Sequence, residues 1–150
     1  MKILLDLNQT LVDRAKDAPR IRPFEFQIES ETYRQWLVEL LKNEYVILIT
    51  ARPEKYKRVT LAKIKALTGW QPQEAFFAEI RSYPHVNKEH LLRKYILPRV
   101  GKDKFFGIES NPKTRAMYAR YGIDSAPAIT DDGEKIFIDY NPIQDGEELV

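Results

Sequence analysis

Cysteine is absent from the chain, and histidine occurs only twice, as His85 and His90. The first absence excludes disulfides, thiolate-ligated zinc and thiol nucleophiles. The second leaves too little imidazole for a His-rich metal centre, and both histidines read as surface or packing residues. Long hydrophobic runs are missing as well. None approaches the roughly 18–20 residues that cross a bilayer, and the first residues lead directly into a strand-like segment. The expectation is a cytoplasmic protein with no membrane partner. What is present suits one globular domain: 150 residues, 43% hydrophobic and 31% charged, enough to bury a single core.

Net charge is only +2, but it is unevenly spread. Residues 131–150 hold seven acids and one base, Lys135, which leaves 23 basic and 15 acidic residues, or +8, over residues 1–130. The chain thus divides into a basic body, 1–130, and an acidic C-terminal extension, 131–150. Ordinary solvated faces account for such a split. So does a body that meets phosphate-rich partners.

Hydrophobic periodicity sets out the elements. Lys2–Asp6 is a short apolar run closed by an acid, as expected of a strand buried on both faces of a parallel sheet. Residues 12–28, with Pro19 and Pro23 and an alternating stretch from Ile21 to Ile28, read as a loop or small hairpin. Ser30 reads as an N-cap for an amphipathic helix over 31–42, with Tyr33, Trp36, Leu37, Leu40 and Leu41 on its inner face. Tyr45–Thr50 is a second buried strand. Pro53 suits the first turn of the next helix, whose buried face is Val59, Ala62, Ile64 and Leu67 and whose stop is Gly69. A weaker third strand covers 75–80, and a helix covers 87–97, closed by Pro98. Lys104–Ile108 is the fourth strand. Asn111-Pro112 caps a helix that runs to Gly122. Residues 126–130 make a fifth strand, and 134–140 an extra edge strand before a loose acidic end. Strand and helix alternate, so the fold class is α/β: a doubly wound, mostly parallel five-stranded, Rossmann-like sheet with helices on both faces.

Ligands in such sheets bind beyond the carboxyl ends of the strands. Three of those ends carry polar residues directly after apolar runs: Asp6, Thr50 and Glu109. Two carboxylates converging on one sheet edge repel unless a cation stands between them, and a hard divalent ion, Mg²⁺, answers that need. Asp6 and Glu109 are its side-chain ligands, with a backbone carbonyl near Asn8 as a third.

At those positions Asp6-Leu-Asn8-Gln-Thr10 resembles the first motif of the haloacid dehalogenase-like (HAD) superfamily, usually Asp-x-Asp-x-Thr. Thr50-Ala-Arg52 looks like its second motif, Lys88 is placed like its third-motif lysine, and Phe105–Lys113 resembles its fourth. Within the superfamily, Val86-Asn-Lys-Glu89 is similar to a segment of the phosphatase domain of bacteriophage polynucleotide kinase. The resemblance covers residues 1–130. It implies that Asp6 attacks phosphorus and forms an aspartyl-phosphate, and that Thr10 fixes the loop after the first strand. Thr50 and the amide of Ala51 would hold phosphoryl oxygens, with a helix N-terminal cap as the lesser reading of Thr50. Lys88 would neutralise Asp6 and the phosphoryl group, and Arg52 and Lys55 would meet substrate. Two positions depart from the pattern. Asn8 stands where the family has its acid–base aspartate, and Glu109-Ser110 stands where it has an acidic pair.

Two functions follow. One is a Mg²⁺-dependent phosphatase or phosphotransferase acting on a nucleotide or polynucleotide phosphate, with an impaired acid–base step. The alternative is an inactive member of the fold that binds a phosphorylated ligand, nucleic acid or protein. The gap at 12–30 is short, so the site reads as nearly capless and open to large substrates. Arg52–Lys65 carries six bases against Glu54 alone, which suits a nucleic-acid backbone as well as a solvated helix face.

Overall fold

The structure is a computed structural model, and it describes residues 1–15, 17–99, 101, 103–129 and 133–135. Five strands, β1 (Lys2–Leu5), β2 (Tyr45–Pro53), β3 (Glu74–Ala78), β4 (Phe105–Ile108) and β5 (Asp124–Ala126), form one sheet in the order β3-β2-β1-β4-β5. Every pairing is parallel. The chain moves outward from β1 to β3, then returns to the other side of β1 for β4 and β5. The direction of winding therefore reverses between β1 and β4, and the crevice beyond their carboxyl ends is where such a sheet receives a ligand.

Alternation along the strands sends side chains to two cores. Ile3, Leu5, Val46, Leu48, Phe106 and Ile108 pack on one face with Leu37, Val38 and Leu41 of α2 (Gln35–Leu41) and Ile64 of α3 (Lys57–Thr68). Leu4, Ile47 and Ile49 pack on the other with Leu91 of α4 (Pro84–Leu91) and with Met117 and Tyr118 of α5 (Pro112–Arg120). The α/β class with helices on both faces is thus realised. Two predicted punctuation marks hold: Gly69 ends α3 in the left-handed conformation (φ 73°), and the Asn111 side chain accepts from the Lys113 amide to cap α5. Both are local effects.

Other expectations are corrected. Phe24–Ser30 is a helix, α1, not a hairpin, and Ser30 ends it rather than capping the next one. Residues 31–34 are extended instead of opening α2, because Tyr33 bridges Val12 and the Arg34 amide donates to the Leu11 carbonyl. Leu40 is exposed and Val38 is buried in its place. On α3 the inner positions are Thr60 and Ile64, while Val59 and Leu67 face solvent. The α3 helix is rotated so that the Thr60 hydroxyl meets the buried Arg52 guanidinium. The α4 helix begins three residues early, at Pro84, and continues as a wider turn over Leu92–Ile96. The β5 strand lies at 124–126 and stops before Pro127, which has no amide to donate. Of the acidic extension, the Ile129–Lys135 antiparallel bridge is described; the edge strand expected over 134–140 otherwise falls outside the described residues.

Candidate active site

Asp6 leaves β1 at its carboxyl end, with its amide bonded to the Ile108 carbonyl of β4. The chain then coils through Leu7–Leu11 in one wide turn, broken at Asn8 and at Gln9, whose φ of 59° is left-handed. A non-glycine residue is strained there. The Arg34 guanidinium holds the turn by donating to the carbonyls of Gln9 (2.9 Å) and Thr10 (2.6 Å).

Thr10, four residues on, and Lys88 and Ser110, from distant parts of the chain, meet on Asp6. Thr10 Oγ1 donates to Asp6 Oδ2 at 2.8 Å, and Ser110 Oγ donates to the same oxygen at 2.9 Å. Lys88 Nζ donates to Asp6 Oδ1 at 2.7 Å and also to Glu109 Oε1. Glu109 Oε2 accepts from the Asn111 amide at 3.1 Å. The Asp6, Lys88 and Glu109 residues are 5%, 3% and 1% exposed, so these charges interact with little water between them. One cation serves two carboxylates and leaves the trio one negative charge in excess.

That imbalance sets the protonation states. Burial alone would raise Asp6, but the Lys88 charge and its hydrogen bonds outweigh it and hold the carboxyl below its usual value. Burial would lower Lys88, but the two carboxylates keep its ammonium protonated well above the ordinary lysine range. Glu109 takes the remainder: burial and the nearby Asp6 charge, opposed by Lys88, push it up to about 7. Near neutral pH the metal-free cluster is therefore half-protonated on Glu109.

Thr50 lies on β2, one strand away. Since Leu5 pairs with Leu48, Thr50 reaches the same edge as Asp6. It is fully buried, and its hydroxyl oxygen accepts from the Arg52 amide. Ala51 lines the cleft beside it.

Arg52 does not project toward a substrate phosphate as expected. Its Nη1 and Nη2 donate to both oxygens of Glu31, at 3.0 and 2.5 Å, and also to Thr60 Oγ1 and Asn8 Oδ1, each at 3.0 Å. Only its buried Nε–H has no partner among the described residues. Arg52 thus orients Asn8 by holding the amide oxygen, which leaves the Asn8 amide hydrogens for other contacts. Lys55 is exposed, sits over the Tyr56 ring and lies away from the cluster.

Val12, Arg14 and Arg20–Phe24 line a cleft of about 700 Å³ together with Asn8, Ala51 and Arg52. Glu31, Arg34, Ser110 and Arg115, whose Nη1 donates to the carbonyls of Glu109 and Ser110, carry roles that no local signal assigned to them. Glu31 is 21 residues from Arg52, and nothing in either neighbourhood announces the pairing.

A cation can be tested against this donor set. Among the described residues no three Asp, Glu, His or Cys side chains converge. Two carboxylates do, with the Ser110 hydroxyl 3.4 Å from the Asn8 carbonyl beside them. Mg²⁺ commonly binds through one or two carboxylates, with waters and substrate phosphate completing its shell. The set fits that requirement, and the surplus negative charge favours it.

No protein-family model matches the chain, and no curated protein matches it. Among the described residues no helix is long and apolar enough to cross a membrane.

Proposed function

We propose that this chain is a HAD-like phosphatase or phosphotransferase that works through an aspartyl-phosphate on Asp6, with a nucleotide or polynucleotide phosphate as substrate. The observation that carries the reading is the buried Asp6–Lys88–Glu109 cluster at the reversal point of the sheet, two residues along the chain from Asn8, which lines an arginine-bearing cleft. An unpaired buried carboxylate is costly. Here one is kept ionised by a lysine, which is what a carboxylate nucleophile requires.

Asp6 Oδ2 accepts from two hydroxyl donors, whereas Oδ1 accepts from Lys88. Oδ1 therefore has the lone pair for attack on phosphorus, with cleavage of the bond to the leaving oxygen. Lys88 offsets charge gathering between nucleophile and phosphoryl group. The Thr50 hydroxyl hydrogen and the Ala51 amide would hold phosphoryl oxygens. Mg²⁺, held by Asp6, Glu109 and the Asn8 carbonyl, would supply charge shielding between nucleophile and substrate.

Asn8 limits the cycle. Its amide can hydrogen-bond the leaving oxygen but cannot protonate it, so that proton comes from water. It also cannot take a proton from the water that cleaves the aspartyl-phosphate. General acid–base assistance is worth about 10²–10⁴-fold, so the second half-reaction is slow and phospho-Asp6 accumulates.

A second reading, a phosphate-binding protein without turnover, is favoured by the same Asn8 and by Ser110 in place of a carboxylate. Hydrolysis of an aryl phosphate with Mg²⁺, together with mass spectrometry of the intact chain, separates the two. Turnover, or a phosphoryl adduct, that disappears in Asp6→Asn supports the enzyme. No turnover and no adduct leaves the binding protein.

A further inference from the structure

The cleft wall carries charge that the proposed chemistry does not use. Its segment is tied at both ends: Val12 bridges Tyr33, and the Asp13 amide donates to the Thr32 carbonyl. The α1 helix anchors the middle through fully buried Ile28, and Phe24 packs against the Tyr56 ring at 4.8 Å. These contacts, at Val12 and Asp13 and at Phe24 and Ile28, lie on either side of Arg20 and Arg22.

Four arginines line the cleft, Arg14, Arg20, Arg22 and Arg52, against one acid, Glu31. Glu31 is consumed by Arg52. Arg14 is turned to the Pro19 carbonyl. Arg20 and Arg22 have no hydrogen-bond or ion-pair partner among the described residues. Two like charges, two residues apart and uncompensated, raise the positive potential of the cleft. Guanidinium groups suit phosphate oxygens in particular, because their paired N–H donors match them. A cleft of about 700 Å³ lies within the range that holds a nucleotide-sized ligand.

We infer that Arg20 and Arg22 form a subsite for a second phosphate, carried on the leaving group of the substrate. The preferred substrates are then doubly phosphorylated: one phosphomonoester is presented to Asp6, and a second phosphate, monoester or diester, is held across the cleft. This inference rests on the proposed reaction for its first phosphate only. Binding of the second needs no catalysis.

The test compares the full chain with Arg20→Ala/Arg22→Ala. Both residues are exposed, so the variant is expected to fold, and circular dichroism checks this. Calorimetry with a nucleoside 3′,5′-bisphosphate and with the 3′-monophosphate reads the subsite directly. A pair of charge-assisted contacts should make the bisphosphate bind about tenfold or more tightly in the parent, and the double variant should lose that preference. Arg20→Lys/Arg22→Lys should keep part of it. Equal affinity of the parent for the two ligands, or an undiminished preference in the double variant, overturns the inference. A 3′-phosphorylated dinucleotide distinguishes the sources: binding like the bisphosphate means a diester suffices, and binding like the monophosphate means a monoester is required. Where turnover is measurable, the double variant should raise KM for the bisphosphate and leave aryl phosphate hydrolysis unchanged. Absence of both turnover and a phosphoryl adduct on Asp6 sinks the proposed reaction and leaves the calorimetric result to decide the subsite.

Discussion

Two neighbouring regions of this molecule treat charge in opposite ways. At the sheet edge, Asp6, Lys88 and Glu109 are dry, and every carboxylate oxygen has a donor. In the adjoining cleft, Arg20 and Arg22 are exposed and have no partner among the described residues. Charges satisfied inside the fold contribute to its stability and arrive pre-organised. Charges left unsatisfied cost little in water and are available to a ligand. Folding and recognition are thereby assigned to different residues a short distance apart. Arg52 joins them: it is buried and paired like the first group, yet it forms the floor of the cleft.

Breaking the buried group should have the largest effect. Lys88→Met keeps length and bulk but leaves two carboxylates without their shared cation. Removing one partner of a buried ion pair typically costs about 3–5 kcal/mol, and a loss of that size is expected in urea melts with chelator present. Mg²⁺ should restore part of it, since a second cation can take up the same charge. A variant within about 1 kcal/mol of the parent, judged against that range, would show that the cluster contributes far less than its burial suggests.

The next effect is a pH dependence with an unusual sign. Glu109 titrates at about 7 in the folded chain and at 4.5 as its ordinary value. Between these, the folded state keeps a proton that the unfolded chain has released. Stability of the metal-free protein therefore falls as pH rises from about 4.5 to about 7, by up to about 3 kcal/mol for this group. Asp6 acts in the other direction: its carboxyl is held below its ordinary value of 3.8, so its contribution is lost only in more acidic solution. Glu109→Gln should flatten the slope between pH 4.5 and 7. Thermal melts in chelator at pH 5 and pH 7.5, on the parent and on Glu109→Gln, read the Glu109 slope, and a parent that is no less stable at the higher pH contradicts the assignment.

A smaller loss is expected where β4 passes Tyr118. A Cβ on Gly107 would stand 2.9 Å from the Tyr118 ring, and that ring is fully buried in the second core. Gly107→Ala should cost about 1–3 kcal/mol through overpacking. Because Glu109 follows directly on β4, the same change should weaken Mg²⁺ binding. An intact melt with unchanged metal affinity would mean that the helix shifts freely away from the strand.

The legible parts of this site are those encoded within a few residues. Asp6 and Glu109 are acids placed directly after apolar runs, so strand and site announce themselves together. Lys88 was identified by its place in a motif, and the fold brings it to both carboxylates. The α1 helix was missed because Phe24 and Ile28 satisfy a period of two as well as a period of four. Only one of its residues, Ile28, is buried, so no apolar stripe broke the tie. The inward turn of Arg52 was hidden for a different reason. Its partners Asn8, Glu31 and Thr60 come from three separate segments, and no local rule joins them.

The last prediction sharpens the contrast between the two regions. If the cleft arginines serve recognition alone, Arg20→Ala/Arg22→Ala should leave unfolding free energy within about 0.5 kcal/mol of the parent, as for surface positions generally. A slight gain is the expected sign, because two like charges are removed from one cleft. The gain should shrink at high salt, where exposed charges are screened beyond about 3 Å at 1 M. A clear loss of stability would instead mean that the arginines hold the wall to the sheet, and the division between buried charge for folding and exposed charge for binding would fail at this point.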